Sequence, residues 1–64
     1  MKISNHAKLR MAERNISDAQ IIDTVKNGKS RPHRDHPNRV LFNTKNFWVV
    51  IDTKAQVLVT VFYN

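Results

Sequence analysis

The stretch FWVVIDTKAQVLVTVFY, residues 47–63, decides the fold. Read with a period of two, Phe47, Val49 and Ile51 fall on one face of a strand and Trp48 and Val50 on the other. Thr53, Lys54, Ala55 and Gln56 make a polar turn. Val57 to Tyr63 then alternates again, with Val57, Val59, Val61 and Tyr63 opposite Leu58, Thr60 and Phe62. β-Branched and aromatic residues fill both runs, as a pleated half-buried surface favours. A turn this short joins antiparallel neighbours. The expected pairing puts Trp48, Val50, Leu58, Thr60 and Phe62 on one side of the sheet.

Working toward the N-terminus, Arg39–Asn43 reads as another strand, joined by a Thr44-Lys45-Asn46 turn. Residues 30–34 add an edge strand on which Pro32 is tolerable, with His36-Pro37-Asn38 as its turn. Upstream of Lys29 the period becomes helical. Ser17 with Gln20 three residues on is a capping box, and Ile16 with Ile21 forms the matching hydrophobic staple. This helix spans about 17–27, presents Ile21, Ile22 and Val25 as its apolar face, and ends at Gly28 as a left-handed cap. A first helix covers about 5–14, capped by Ser4 or Asn5. The expectation is one α+β domain over residues 1–64. Two N-terminal helices pack on one face of a three- to four-stranded antiparallel meander, with strands at about 30–34, 39–43, 47–52 and 57–63.

A 64-residue chain buries only about 60% of the surface it exposes when unfolded, so its core is thin. It has no cysteine, which fits a reducing cytoplasm and excludes disulfide staples and thiolate metal sites. No apolar run approaches a membrane span, and MKISNHAKLR reads as a mature N-terminus. The net charge is +6 and the pI about 10.4, which favours a polyanionic partner, nucleic acid before membrane. The charge comes in two blocks: +3 over residues 1–14 and +4 over residues 26–39.

In the first block, helical geometry sets His6, Arg10 and Arg14 at about 0°, 40° and 80°, running into Ala7 and Met11 at about 100° and 140°. The basic stripe therefore borders the apolar edge, where the sheet can form the other wall of a cleft and a guanidinium is partly desolvated. The plainer reading has the arginine stems lying over the sheet edge, His6 making local hydrogen bonds and Glu13 pairing with a nearby base.

The series His6-Ala7-x-x-Arg10-Met11-x-Glu13-Arg14-x-Ile16-Ser17 resembles the HAxxRMxERxIS opening of a small bacterial and phage domain family, catalogued mainly as a domain of unknown function. The terminal strand Val59-Thr60-Val61-Phe62-Tyr63 continues the resemblance. The helix-helix-meander layout also looks like the RelE and BrnT toxins and the wider metal-independent ribonucleases with a barnase- or colicin-like sheet. The resemblance implies RNA as substrate and an antitoxin as partner.

Metal-independent RNA cleavage needs a base for the 2′-OH, cations for the phosphorane and an acid for the leaving oxygen. Histidine supplies base or acid near neutral pH. The candidate catalytic set is His6, with Arg10 and Arg14 as planar forks for the phosphorane, Thr60 to orient the 2′-OH and Tyr63 to stack or donate a proton. The partner of His6 would come from His33, His36, Tyr63 or a lysine. Thr60 is equally a good strand former, and Tyr63 equally an edge-packing residue.

The second block, with Lys29, Arg31, His33, Arg34, His36 and Arg39, joined by Lys8 on the first helix, forms the candidate nucleic-acid-binding set. Such groups hold phosphates and set salt dependence; otherwise they line a solvated loop. His33-x-x-His36 with Asp35 lacks the third or fourth ligand a zinc site needs, so no metal or other cofactor is expected. Trp48, Phe42, Phe47 and Phe62 are expected in the core, while the sheet face away from the helices keeps apolar surface for a partner or a second copy. Three readings follow: a RelE-like endoribonuclease, a non-catalytic nucleic-acid-binding module, and a small interaction domain engaging a host protein.

Overall fold

The computed structural model describes residues 2–44 and 46–63; the expected turn residue Lys45 lies outside them. Helix α1, Asn5–Arg14, starts at Ser4, whose hydroxyl accepts from the Ala7 N–H at 3.0 Å. It stops at Asn15, which takes the left-handed conformation at φ 55°. Asparagine tolerates that region better than most residues. Helix α2, Asp18–Asn27, begins with the complete Ser17–Gln20 capping box.

Among the described residues a five-stranded sheet follows the order β1-β5-β4-β3-β2. The strands are β1 (Lys2–Ile3), β2 (Lys29–Pro32), β3 (Arg39–Asn43), β4 (Phe47–Asp52) and β5 (Val57–Tyr63). The chain is α+β as expected, but the sheet has one strand more and is mixed, because Lys2–Ile3 runs parallel to β5. Two residues carry too little pattern to be read as a strand. They pair because the Lys2 and Ser4 N–H groups donate to the carbonyls of Gln56 (3.1 Å) and Leu58 (3.0 Å). The edge strand occupies Lys29–Pro32 rather than residues 30–34.

The ladder between β4 and β5 shifts between Val50 and Ile51: Val50 pairs with Thr60, but Ile51 pairs with Leu58. Val59 is therefore an extra residue, a bulge. It corrects the expected alternation, since Leu58 turns to the helix side and is fully buried while Thr60 and Phe62 stay on the opposite face. The core consists of Ala7, Met11, Ile16, Ile21, Phe47, Val49, Ile51, Leu58 and Val61. Helix α1 lies over β5, and α2 over β3 and β4. On α2 the buried residues are Ile21 and Thr24, not Ile22, which is 52% exposed. Thr24 is tolerated inside because its hydroxyl donates to the Gln20 carbonyl at 2.8 Å.

Gly28 corrects a second expectation. Its φ is −76°, so it is extended, not left-handed. Glycine is needed for space: a Cβ would press on the Thr24 carbonyl and come within 2.5 Å of the Asn43 carbonyl oxygen. Both neighbours are backbone and cannot swing aside. Gly28→Ala is expected to lower stability by about 1–3 kcal/mol, as overpacking does, read as a fall in urea midpoint at unchanged slope.

Candidate nucleic-acid interface

The sheet has one face under the helices and one face bare. Cross-strand pairing organises the bare face into rungs. Lys29 pairs with Asn43, Asn43 with Trp48, and Trp48 with Phe62. The next rung is Arg31, Leu41, Val50 and Thr60. The third carries Arg39, Asp52 and Val57, and His33 continues it by donating its N–H to the Arg39 carbonyl at 3.0 Å.

The first rung thus runs cation, amide, aromatic, aromatic. The Trp48 and Phe62 rings stack with centroids 6.3 Å apart and planes at 12°. The Arg31 guanidinium lies over the Trp48 ring, 5.2 Å from its centroid, a favourable cation–π arrangement. Trp48 is half-buried, and Phe62 is 39% exposed. Neither belongs to the core cluster, which corrects their expected place; Phe47 is core and Phe42 packs against it. Beside them Val50 is 4% exposed yet also outside the core cluster, so the large side chains of the bare face bury it from the other side.

Along β2, Lys29 and Arg31 project from the bare face, and His33 follows in line. Alternate residues of a strand stand about 6.6–6.8 Å apart, so these make a regular basic column at the sheet edge. Among the described residues the one ion pair is Arg10 with Glu13, at 3.6 Å. Among the described residues Lys29, Arg31, Arg34 and Arg39 thus form no ion pair, although Asp52 stands directly across the ladder from Arg39. Asp52, the acid of the third rung, accepts instead from the Ala55 N–H at 2.9 Å.

Beyond β2 the hairpin loop holds two imidazoles, with the His33 and His36 rings edge to face, centroids 4.8 Å apart. His33 Nδ1 accepts from the Asp35 N–H at 3.1 Å. Arg34 and His36 are exposed. Among the described residues no group of three or more His, Asp or Glu side chains is arranged to hold a metal ion.

The first-helix stripe lies in the other layer. Ala7 and Met11 are buried, Arg10 and Arg14 half-buried, and His6 and Lys8 exposed. The stripe borders the apolar edge, as its angles require. Its axial span is the feature the angles hide: eight residues rise about 12 Å, so the backbones of His6 and Arg14 stand two turns apart. Arg10 turns toward Glu13. Arg14 lies over the Tyr63 ring, 5.1 Å from its centroid, and the Tyr63 hydroxyl donates to the Arg14 carbonyl at 2.6 Å. Arg14 Nε is buried with no hydrogen-bond partner among the described residues. Of the five candidate catalytic residues, the structure brings Arg14 and Tyr63 together. Thr60 is on the opposite face of the sheet.

Cavities of about 410, 390 and 230 Å³ are lined by other residues than His6, Arg10 and Arg14. The first lies between α2 and the start of β4, beside Gln20, Asp23 and Phe47. The second borders the first rung, beside Asn27, Lys29 and Asn43. Asn43 carried no sequence signal beyond its place at the end of a strand; the pairing with Lys29 and Trp48 is what marks it. Tyr63→Phe is expected to cost about 0.5–1.5 kcal/mol, the worth of one hydrogen bond, in denaturant unfolding.

Among the described residues no helix is long and apolar enough to cross a membrane. No curated protein and no solved structure matches the chain. Residues 3–63 match the family described as a domain of unknown function, DUF4258, and the chain belongs to that family.

Proposed function

We propose that this DUF4258 domain binds single-stranded RNA across the bare face of its sheet. The observation that supports this reading is the first rung, in which Lys29 and the stacked Trp48 and Phe62 rings lie in one line with Arg31 beside them. Unpaired bases stack on exposed aromatic rings, each for about 1–3 kcal/mol. A duplex hides its base faces, so the platform favours single strands. The basic column of β2, with Arg34 and Arg39, holds the phosphates; this contributes affinity and salt dependence rather than sequence choice. The net charge of +6 raises the local concentration of any polyanion.

Trp48 is the only tryptophan, so its fluorescence reports stacking at the platform directly. Titration with a short single-stranded RNA is expected to quench it, with log affinity falling by about 0.7 per log unit of salt for each phosphate neutralised. Trp48→Ala, followed by anisotropy of labelled RNA, is expected to lose about 1–3 kcal/mol of binding. Unchanged fluorescence at micromolar RNA, with the variant binding as the parent does, would sink the reading. Salt-insensitive association with a protein or a second copy would instead make this face a protein interface.

A second reading, metal-independent endoribonuclease of the RelE type, draws support from two arrangements. At the end of the basic column, His33 and His36 stand ring to ring beside Arg39, and two imidazoles can serve as base and acid. Across the sheet, Arg14 is held against Tyr63, with His6 and Arg10 further along α1. Thr60 belongs to the bare-face version, where it could orient a 2′-OH. Incubation with RNA in EDTA separates them. Cleavage to 2′,3′-cyclic ends, lost in His33→Ala or His36→Ala but kept in His6→Ala, assigns the hairpin. The reverse assigns α1, and intact RNA at micromolar protein rejects the enzyme.

A further inference from the structure

We infer that a bound RNA strand continues past Phe62, around the outer edge of β5, onto a second subsite formed by Tyr63, Arg14 and Arg10 on the helix side. The inference rests on the single-strand reading above and extends it to the opposite layer. Phe62 and Tyr63 are consecutive residues of β5, and the ladder sends them to opposite faces. Phe62 pairs with Trp48 on the bare face, and Tyr63 pairs with the buried Phe47 on the helix side. Both are exposed, Phe62 by 39% and Tyr63 by 44%. Among the described residues β1 pairs with β5 only as far as Leu58, so no strand flanks β5 from Thr60 to Tyr63. The two aromatic surfaces are therefore neighbours across a sheet edge, with no further strand to separate them.

Beyond that edge the surface is cationic. The Arg14 guanidinium carbon lies 5.1 Å from the Tyr63 ring centroid. Among the described residues Arg14 forms no ion pair, and its buried Nε has no hydrogen-bond partner. A buried donor left unpaired is costly, and a phosphate drawn against the guanidinium brings acceptor oxygens to it. The planar fork of an arginine suits two such oxygens. The Tyr63 hydroxyl donates to the Arg14 carbonyl at 2.6 Å, which ties the ring to the end of α1. Ring and cation thus form one unit, a face for a base beside a contact for its phosphate. Arg10, half-buried in the same arc, stands one turn back, about 6 Å along the axis, in line for a further phosphate. Its ion pair with Glu13, at 3.6 Å between partly exposed side chains, is of the weak surface kind and yields readily. Both basic blocks of the chain, one in each layer, are then used by a single polyanion.

The test uses the full chain and two labelled oligouridine strands, about 4 and about 12 nucleotides long, within the range of single-strand site sizes. Binding is read by anisotropy, with Trp48 fluorescence reporting the platform. The long strand is expected to bind roughly tenfold tighter or better, with a log–log salt slope steeper by about 1.4, the effect of two further neutralised phosphates. Tyr63→Leu removes the ring and is expected to cut the long strand's advantage roughly tenfold, the worth of one stacked base. Tyr63→Phe retains the ring and is expected to retain the advantage. Arg10→Gln, a change outside the core, is expected to take about 0.7 from the difference in slope between the two strands. Unfolding midpoints show whether Tyr63→Leu folds, and Arg10→Gln carries the test if it does not. A long strand that binds no more tightly than the short one overturns the path around β5 while leaving the stacking platform standing. So does an advantage that both Tyr63→Leu and Arg10→Gln leave untouched. Failure of both strands to bind or to quench Trp48 overturns the platform and the path together.

Discussion

The bulge at Val59 is the constraint from which the arrangement of this small protein follows. A regular strand would send Leu58, Thr60 and Phe62 to one face together. With Val59 left over from the ladder, Leu58 turns under the helices and is fully buried, while Thr60 and Phe62 remain outside. Bulges need their freed backbone groups satisfied, and here Ser4 does so. Its hydroxyl donates to the Val59 carbonyl at 2.8 Å and accepts from the first turn of α1, so one side chain ends β1, starts α1 and holds the bulge. The two-residue strand β1, the position of α1 over β5 and the exposure of Phe62 beside Trp48 are all linked to that contact.

The bare face follows from size as much as from register. A domain with so few apolar residues cannot cover both sides of a sheet. The helices take Phe47, Val49, Ile51, Leu58 and Val61. On the second side Leu41 and Val50 share a rung with Arg31 and Thr60, and Trp48 and Phe62 occupy the next rung. These groups already pack ring against ring and guanidinium over ring, so little side-chain freedom remains to be lost on binding. Among the described residues Lys29 and Arg31 form no ion pair, so no salt bridge between described residues has to break for them to bind a phosphate. Stability and the proposed recognition thus draw on the same side chains.

Helix α1 shows the limit of angular reasoning. Its stripe has the register expected at the rim of the helix–sheet interface, and Arg14 meets the sheet there through Tyr63. An arc on a helical wheel says nothing of distance along the axis, however, and three basic side chains in one arc over two turns make a row along the helix. Rows suit a chain of phosphates, whereas a single phosphorane needs groups that converge. The hairpin loop, where β2 and its turn fold His33 back against His36, offers that kind of convergence.

By itself the sequence determined what local physics controls. The capping box of Ser17 and Gln20, the ends of α1, the spans of β3, β4 and β5 and the α+β layering were all legible, because periodicity and end chemistry act between residues a few positions apart. So was the concentration of positive charge in two blocks. Tertiary structure decided what depends on partners far along the chain: the parallel docking of Lys2–Ile3, the bulge that moved Leu58 to the core, the steric need for Gly28 and the rung that sets Lys29, Asn43, Trp48 and Phe62 in line. A strand's own alternation names two faces but not which register meets them. That choice is made by hydrogen bonds such as the one from Ser4 to Val59, 55 residues away, which no short window of sequence contains.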